Sequence, residues 1–116
     1  MLTRNGILAC EDMPTEQVDV PEWGGMVLVR SLTGVERDSF EQVCIDQRSG
    51  RKMRLQGLKA LLVIMCACDE TGQQLFTDED RDAVNAKSGA ALDRIYQVAA
   101  RLNHLLAEDV EELAGN

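Results

Sequence analysis

Apolar positions along the chain follow two periods, and the breaks between them carry turn and cap chemistry. Gln17-Val18-Asp19-Val20 alternates polar and apolar with β-branched residues, the period-two pattern of a half-buried strand. Pro21-Glu22-Trp23-Gly24-Gly25 follows, where proline presets φ and the glycines tolerate positive φ. Met26-Val27-Leu28-Val29-Arg30 is β-prone again. These pieces predict a β-hairpin. An isolated two-stranded hairpin is marginal in water, so one of its faces must lie on helices.

Beyond the hairpin the period becomes helical. Thr33-Gly34-Val35-Glu36 has capping-box spacing: a Thr hydroxyl for the N3 amide and a Glu carboxylate for the cap N–H. Phe40, Val43 and Cys44 then form one stripe, predicting a helix that ends near Ser49-Gly50. Glu36, Asp38 and Glu41 read as its solvated face, and Glu36 and Asp38 suit the positive end of the helix dipole. Leu61, Leu62 and Met65 follow Leu58 at +3, +4 and +7, with Val63, Ile64 and Cys66 filling the gaps. That predicts a central helix, apolar on most sides, with a strand near Met65 as the alternative ending. Asp69-Glu70-Thr71-Gly72 is a turn signal before a short extended Leu75-Phe76. Thr77, followed by Asp78, Glu79 and Asp80, starts a short helix stopping near Lys87. Ser88 caps the longest, C-terminal helix, in which Ile95, Tyr96, Ala99 and Leu102 follow Leu92 at +3, +4, +7 and +10. Residues 107–113 form a final acidic turn or helix, with Val110 and Leu113 spaced for docking.

The expected fold is α+β: a mainly α-helical single domain over residues 17–116, with the N-terminal β-hairpin packed on helices. Residues 1–16 are read as a loosely ordered leader, with one helical turn around Ile7-Leu8-Ala9 and a break at Met13-Pro14. The chain has 116 residues, which fits one domain. A hydrophobic share of 45% and a charged share of 28% fit a globular protein and exclude a disordered one. The longest apolar run covers residues 60–68, well short of the roughly 20 that cross a bilayer, so no membrane association is expected. No basic n-region with a long apolar stretch opens the chain, so a secretory leader is not expected. The thiols of Cys10, Cys44, Cys66 and Cys68 are accordingly expected to be reduced.

Charge and reactive residues narrow the function further. The formal net charge is −8, from 12 Lys and Arg against 20 Asp and Glu. Residues 47–68 contain no acidic residue but hold Arg48, Arg51, Lys52, Arg54 and Lys59. This stretch reads either as a solvated loop offsetting local acid or as a docking patch for an acidic helical partner. It has no aromatic residue to stack bases, and with the acidic balance this argues against nucleic acid. Trp23, the sole tryptophan, is either a binding anchor at the turn or a cover folded back over the hairpin. Cys66-Ala67-Cys68 is the only close cysteine pair, and a one-residue gap does not match zinc spacing. Core packing therefore suits those thiols better than metal or redox chemistry. His104, the only histidine, falls near a helix end with a structural or solvated role. Gly24-Gly25 is not a phosphate loop. Asp78, Asp80 and Asp82 lack the glycine and distal Glu of a calcium loop. No cofactor, metal site or catalytic residue is expected.

In order and spacing, several blocks resemble the tail assembly chaperones of long-tailed bacteriophages and prophages. They are Val20-Pro21-Glu22-Trp23-Gly24-Gly25, the stretch from Val27-Leu28-Val29 through Thr33-Gly34-Val35-Glu36-Arg37-Asp38, and Cys68-Asp69-Glu70-Thr71-Gly72. Leu75-Phe76-Thr77-Asp78-Glu79-Asp80, Lys87-Ser88-Gly89-Ala90-Ala91-Leu92-Asp93-Arg94-Ile95, Arg101-Leu102-Asn103 and Glu108-Asp109-Val110-Glu111-Glu112-Leu113 complete the set. Leu106 departs from the pattern, since such proteins often offer a Thr cap there, and the basic segment around Arg51 falls in a variable region. The resemblance implies a non-enzymatic assembly factor in the host bacterial cytoplasm. It would bind the long helical tape measure protein, keep it soluble before the tail tube polymerises, and be absent from the mature virion. It implies the tail tube protein as a further partner, with homo-oligomerisation open. Partner contacts are expected at Trp23, Arg48, Arg51, Lys52, Arg54 and Lys59. The alternative is a structural tail or head–tail connector protein retained in the particle.

Overall fold

The hairpin forms where the alternation puts it. In the computed structural model, whose described residues are 1–48 and 55–105, β1 (Thr15–Val20) pairs antiparallel with β2 (Gly25–Arg30). Val18 and Val20 on β1 and Val29 on β2 point inward and are buried, while Gln17 and Asp19 face solvent. β1 starts at Thr15, two residues before the alternation becomes visible, because Glu16 already pairs with Val29 and is held by Arg101 of the C-terminal helix at 2.5 Å. The tip is a 3-10 turn, Pro21–Trp23, closed by Gly24 at φ 77°, a left-handed conformation that glycine takes without Cβ strain.

A third strand, β3 (Ala67–Cys68), pairs antiparallel with β2, giving the order β1-β2-β3. The central helix and the alternative strand ending both occur. Helix α3 (Leu55–Cys66) runs directly into β3. The turn after it closes through Asp69, whose Oδ1 accepts from the Thr71 and Gln73 amides at 2.8 and 3.0 Å, and Gly72 takes φ 86°. Gln74 bridges back to Cys68, and the Leu75 N–H donates to the Ala67 carbonyl at 3.0 Å.

Helix α2 (Gly34–Arg48) opens with the predicted capping box: Thr33 Oγ1 accepts from the Glu36 N–H at 3.2 Å, and Glu36 Oε1 from the Thr33 N–H at 3.0 Å. Its expected end at Ser49-Gly50 lies outside the described residues, as do Leu106 and the acidic segment 107–113. Glu36 is not on a solvated face. Arg30, buried at the end of β2, donates both terminal nitrogens to its carboxylate at 2.8 Å. After a 3-10 turn at Asp78–Asp80 comes the short α4 (Arg81–Asn85), followed by α5 (Gly89–Leu102), capped by Ser88 as expected. The leader's helical turn is α1 (Arg4–Leu8), N-capped by Thr3.

The architecture is α+β, with the sheet's inner face on α5 and α3 packed chiefly against α5 and α4. Tyr96, Ile95 and Leu92 of α5 meet Leu58, Leu62 and Ile64 of α3 and Phe40 of α2 in one core. No described helix is long and apolar enough to cross a membrane.

Candidate functional site

Trp23 is held in place from both sides in sequence. Pro21 fixes the chain entering the tip, and the Gly24 N–H donates back to the Pro21 carbonyl at 3.1 Å. Glu22 is clamped by Arg94 of α5 through two hydrogen bonds of 2.6 and 3.0 Å, the fork geometry that fixes orientation best. That guanidinium holds the Glu22 carboxyl below its ordinary range, so the clamp stays charged at neutral pH. Half-buried, the indole packs against the core and walls a hollow of about 410 Å3 with Phe76, Asp80, Ala83, Val84 and Lys87.

Phe76 also lines a second hollow, of about 490 Å3, between α2, α3 and the start of α4. Val35, Val43, Leu61 and Met65 are its apolar lining, and Glu36, Asp78 and Arg81 are charged groups that line it too. The two hollows have Phe76 as a common lining residue, and together they make up what is called the trough. Val35 is 78% exposed there, a large apolar side chain with no structural cover. The trough's charged lining is mixed: Glu36, Asp78 and Asp80 stand with Arg81, which pairs with Asp78 at 3.6 Å, and Lys87, while Glu79 and Asp82 are their neighbours in sequence.

Of the residues singled out from the sequence, Trp23 lies in this trough. It does so folded back, combining the two readings: a partial cover for the core that leaves one side of the ring on a hollow. Lys59 lines neither hollow. Its Nζ pairs with Asp93 at 3.2 Å and lies 5.3 Å from the centre of the Tyr96 ring, which commits its charge within the fold. Arg48 is the last described residue of α2, and Arg51, Lys52 and Arg54 fall outside the described residues. Sequence reading missed Phe76, Val35 and Ala83 as groove residues. The usable signal was Leu75-Phe76, an apolar pair in a polar stretch.

The reactive side chains sit in structural roles. Burial pushes the Cys66 thiol up to about 12 and Cys44 up to about 11, and Cys68 is raised by the same cause, so all three stay protonated and poorly nucleophilic at neutral pH. His104 is exposed, at φ 54° just beyond the end of α5. Among the described residues, no group of three or more His, Cys, Asp or Glu is placed to hold a metal ion.

The family described as phage tail assembly chaperone matches residues 7–116 of the chain. The fold is similar to that in "Structure of bacteriophage HK97 tail assembly chaperone", with a TM-score of 0.59 and 23% identity, covering 78% of this chain and 85% of that one. No curated protein matches the chain significantly.

Proposed function

The chain belongs to the phage tail assembly chaperone family, and from that premise we propose that it binds the tape measure protein and keeps it soluble until the tail tube polymerises. The observation that carries this reading is the open trough whose lining includes the apolar Trp23, Phe76, Val35 and Val84, with Glu36, Asp78 and Asp80 beside Arg81 and Lys87. A long helix with an apolar stripe aggregates when left bare, and a strongly acidic partner that covers the stripe keeps the complex in solution. The role is non-enzymatic and needs no cofactor.

Magnitudes favour many weak contacts over one strong one. Burying a large aliphatic side chain gains about 1.5–3 kcal/mol, so three along one trough give about 5–9 kcal/mol. Association costs several kcal/mol in lost freedom, which leaves little per copy. Repetition along a long helix then supplies avidity, and each copy still releases as tube subunits displace it. On this reading the protein acts in the host bacterial cytoplasm as a homo-oligomer, meets the tail tube protein at hand-over, and is absent from the mature virion. Co-expression with the tape measure protein of the same phage tests it. The tape measure protein is expected to move from the pellet to the supernatant, and an unchanged pellet with no co-purification would overturn the reading. Mass spectrometry of purified particles, expected to lack this chain, separates it from a retained connector.

A further inference from the structure

The N-terminal helical turn is built but uncovered. Thr3 caps α1, its Oγ1 accepting from the Gly6 N–H at 3.1 Å, yet no residue of α1 is buried. Leu2, Ile7 and Leu8 are 80%, 54% and 69% exposed and stand apart from the core. A five-residue helix has little stability by itself in water, so something must cover its apolar side for it to persist. Residues 1–10 carry Arg4 and no acidic residue, in a chain of net charge −8. The Trp23 hollow has the opposite balance: apolar at Trp23, Phe76 and Val84, it is lined by Asp80 and Lys87, in a segment (residues 78–87) where Asp78, Glu79, Asp80 and Asp82 stand against Arg81 and Lys87. Within one chain, residues 10–13 line a separate hollow with Arg30, Thr33 and Thr71, which has no residue in common with the Trp23 hollow.

We propose that residues 1–8 of one copy dock in the Trp23–Phe76–Val84 hollow of a second copy, so that two copies exchange N-terminal arms. Ile7 and Leu8 enter the apolar hollow, and Arg4 faces the carboxylates of the 3-10 turn and α4. Residues 9–14 span at most about 20 Å, which keeps the two bodies adjacent. The exchange makes two identical contacts related by a two-fold axis, a closed arrangement. This inference rests on the homo-oligomer reading above and assigns its surface. It also places the arm where the tape measure helix would bind, so client and arm compete.

The test uses two full-length proteins in a Cys10→Ser background, one with Ile7→Cys and the other with Ala83→Cys, carrying tags of different length. Residues 7, 83 and 97 are exposed, and the remaining native cysteines are buried. On mild oxidation the mixture is expected to give a mixed disulfide at least tenfold faster than a pair in which Gln97→Cys replaces Ala83→Cys. The Ile7→Asp/Leu8→Asp variant, which changes only exposed positions, is expected to shift light scattering from dimer to monomer. Equal cross-linking at residues 83 and 97, or a dimer indifferent to the Ile7 and Leu8 changes, would overturn the arm exchange and leave the oligomer reading standing. A wild-type chain that is monomeric throughout would overturn both.

Discussion

The side chain of Asn103 closes onto the main chain of Leu32: its Oδ1 accepts from the Leu32 N–H at 2.7 Å, between residues 71 apart in sequence. The same amide donates from Nδ2 to the Ala99 carbonyl at 2.8 Å and to Cys66 Sγ at 3.7 Å, while the Asn103 carbonyl accepts from Arg37 at 2.9 Å. One buried residue at the end of α5 therefore fastens the end of α3 and the start of α2. Those two helices supply Val35, Val43, Leu61 and Met65 to the trough, so this knot sets the spacing of its walls.

Replacing Asn103 by Ala leaves the Leu32 N–H buried without a partner. Such an orphaned donor costs about 1–3 kcal/mol. Urea denaturation of Asn103→Ala is expected to show a loss of about 2 kcal/mol; a loss below about 0.5 kcal/mol would mean the knot is not a stabilising element.

The Arg30–Glu36 pair gives the fold an acid-sensitive component. The Arg30 fork, together with the Thr33 N–H, lowers the Glu36 carboxyl from 4.5 to about 2, against some opposing desolvation. A carboxyl with a depressed folded-state pKa contributes its full stability above the unfolded value and loses it as pH falls through the folded one. The loss therefore runs from about pH 4.5 down to pH 2 and amounts to about 1–2 kcal/mol after allowing for solvent screening. In equilibrium unfolding at a series of pH values, Glu36→Gln should be less stable than wild type at pH 7. Its curve should be flatter between pH 4.5 and 2; parallel curves would exclude the linkage.

His104 is the described non-glycine residue with positive φ, at the position just past α5 where helices commonly end on glycine. The left-handed conformation costs an ordinary side chain roughly 1–2 kcal/mol, partly offset by the extra unfolded-state freedom of glycine. His104→Gly is expected to raise stability by about 0.5–1 kcal/mol in thermal unfolding. A destabilised variant would assign the imidazole a contact of its own.

Local signals carried much of the fold. The Leu92–Tyr96–Ala99 stripe, the Thr33 box, the Ser88 cap and the Gly24 tip are each written within a few residues, where period and cap chemistry act directly. Strand β3 was legible only as an alternative ending near Met65, because two residues are too few to show a period, and its pairing with Leu28 and Val29 depends on where α3 delivers the chain. Glu36 read as solvated because the approach of Arg30 depends on how β2 enters α2. The pairing of Lys59 with Asp93 was not legible, because the two lie 34 positions apart on different helices. The trough was only half legible: Trp23 stood out by its type, whereas Phe76, Val35 and Ala83 become neighbours only through the packing of α2, α3 and α4.

The most direct test of trough binding is the solubility of the tape measure protein when co-expressed with a chain altered only at exposed trough positions. Val35→Glu falls in the first turn of α2, where a carboxylate favours the helix dipole, and Ala83 is exposed on α4, so the double variant Val35→Glu/Ala83→Glu keeps the fold. Wild-type chaperone is expected to hold the tape measure protein in the supernatant, while the folded double variant, checked by circular dichroism, leaves at least tenfold more of it in the pellet. Equal solubility with both chains would contradict an account in which this trough covers the helix.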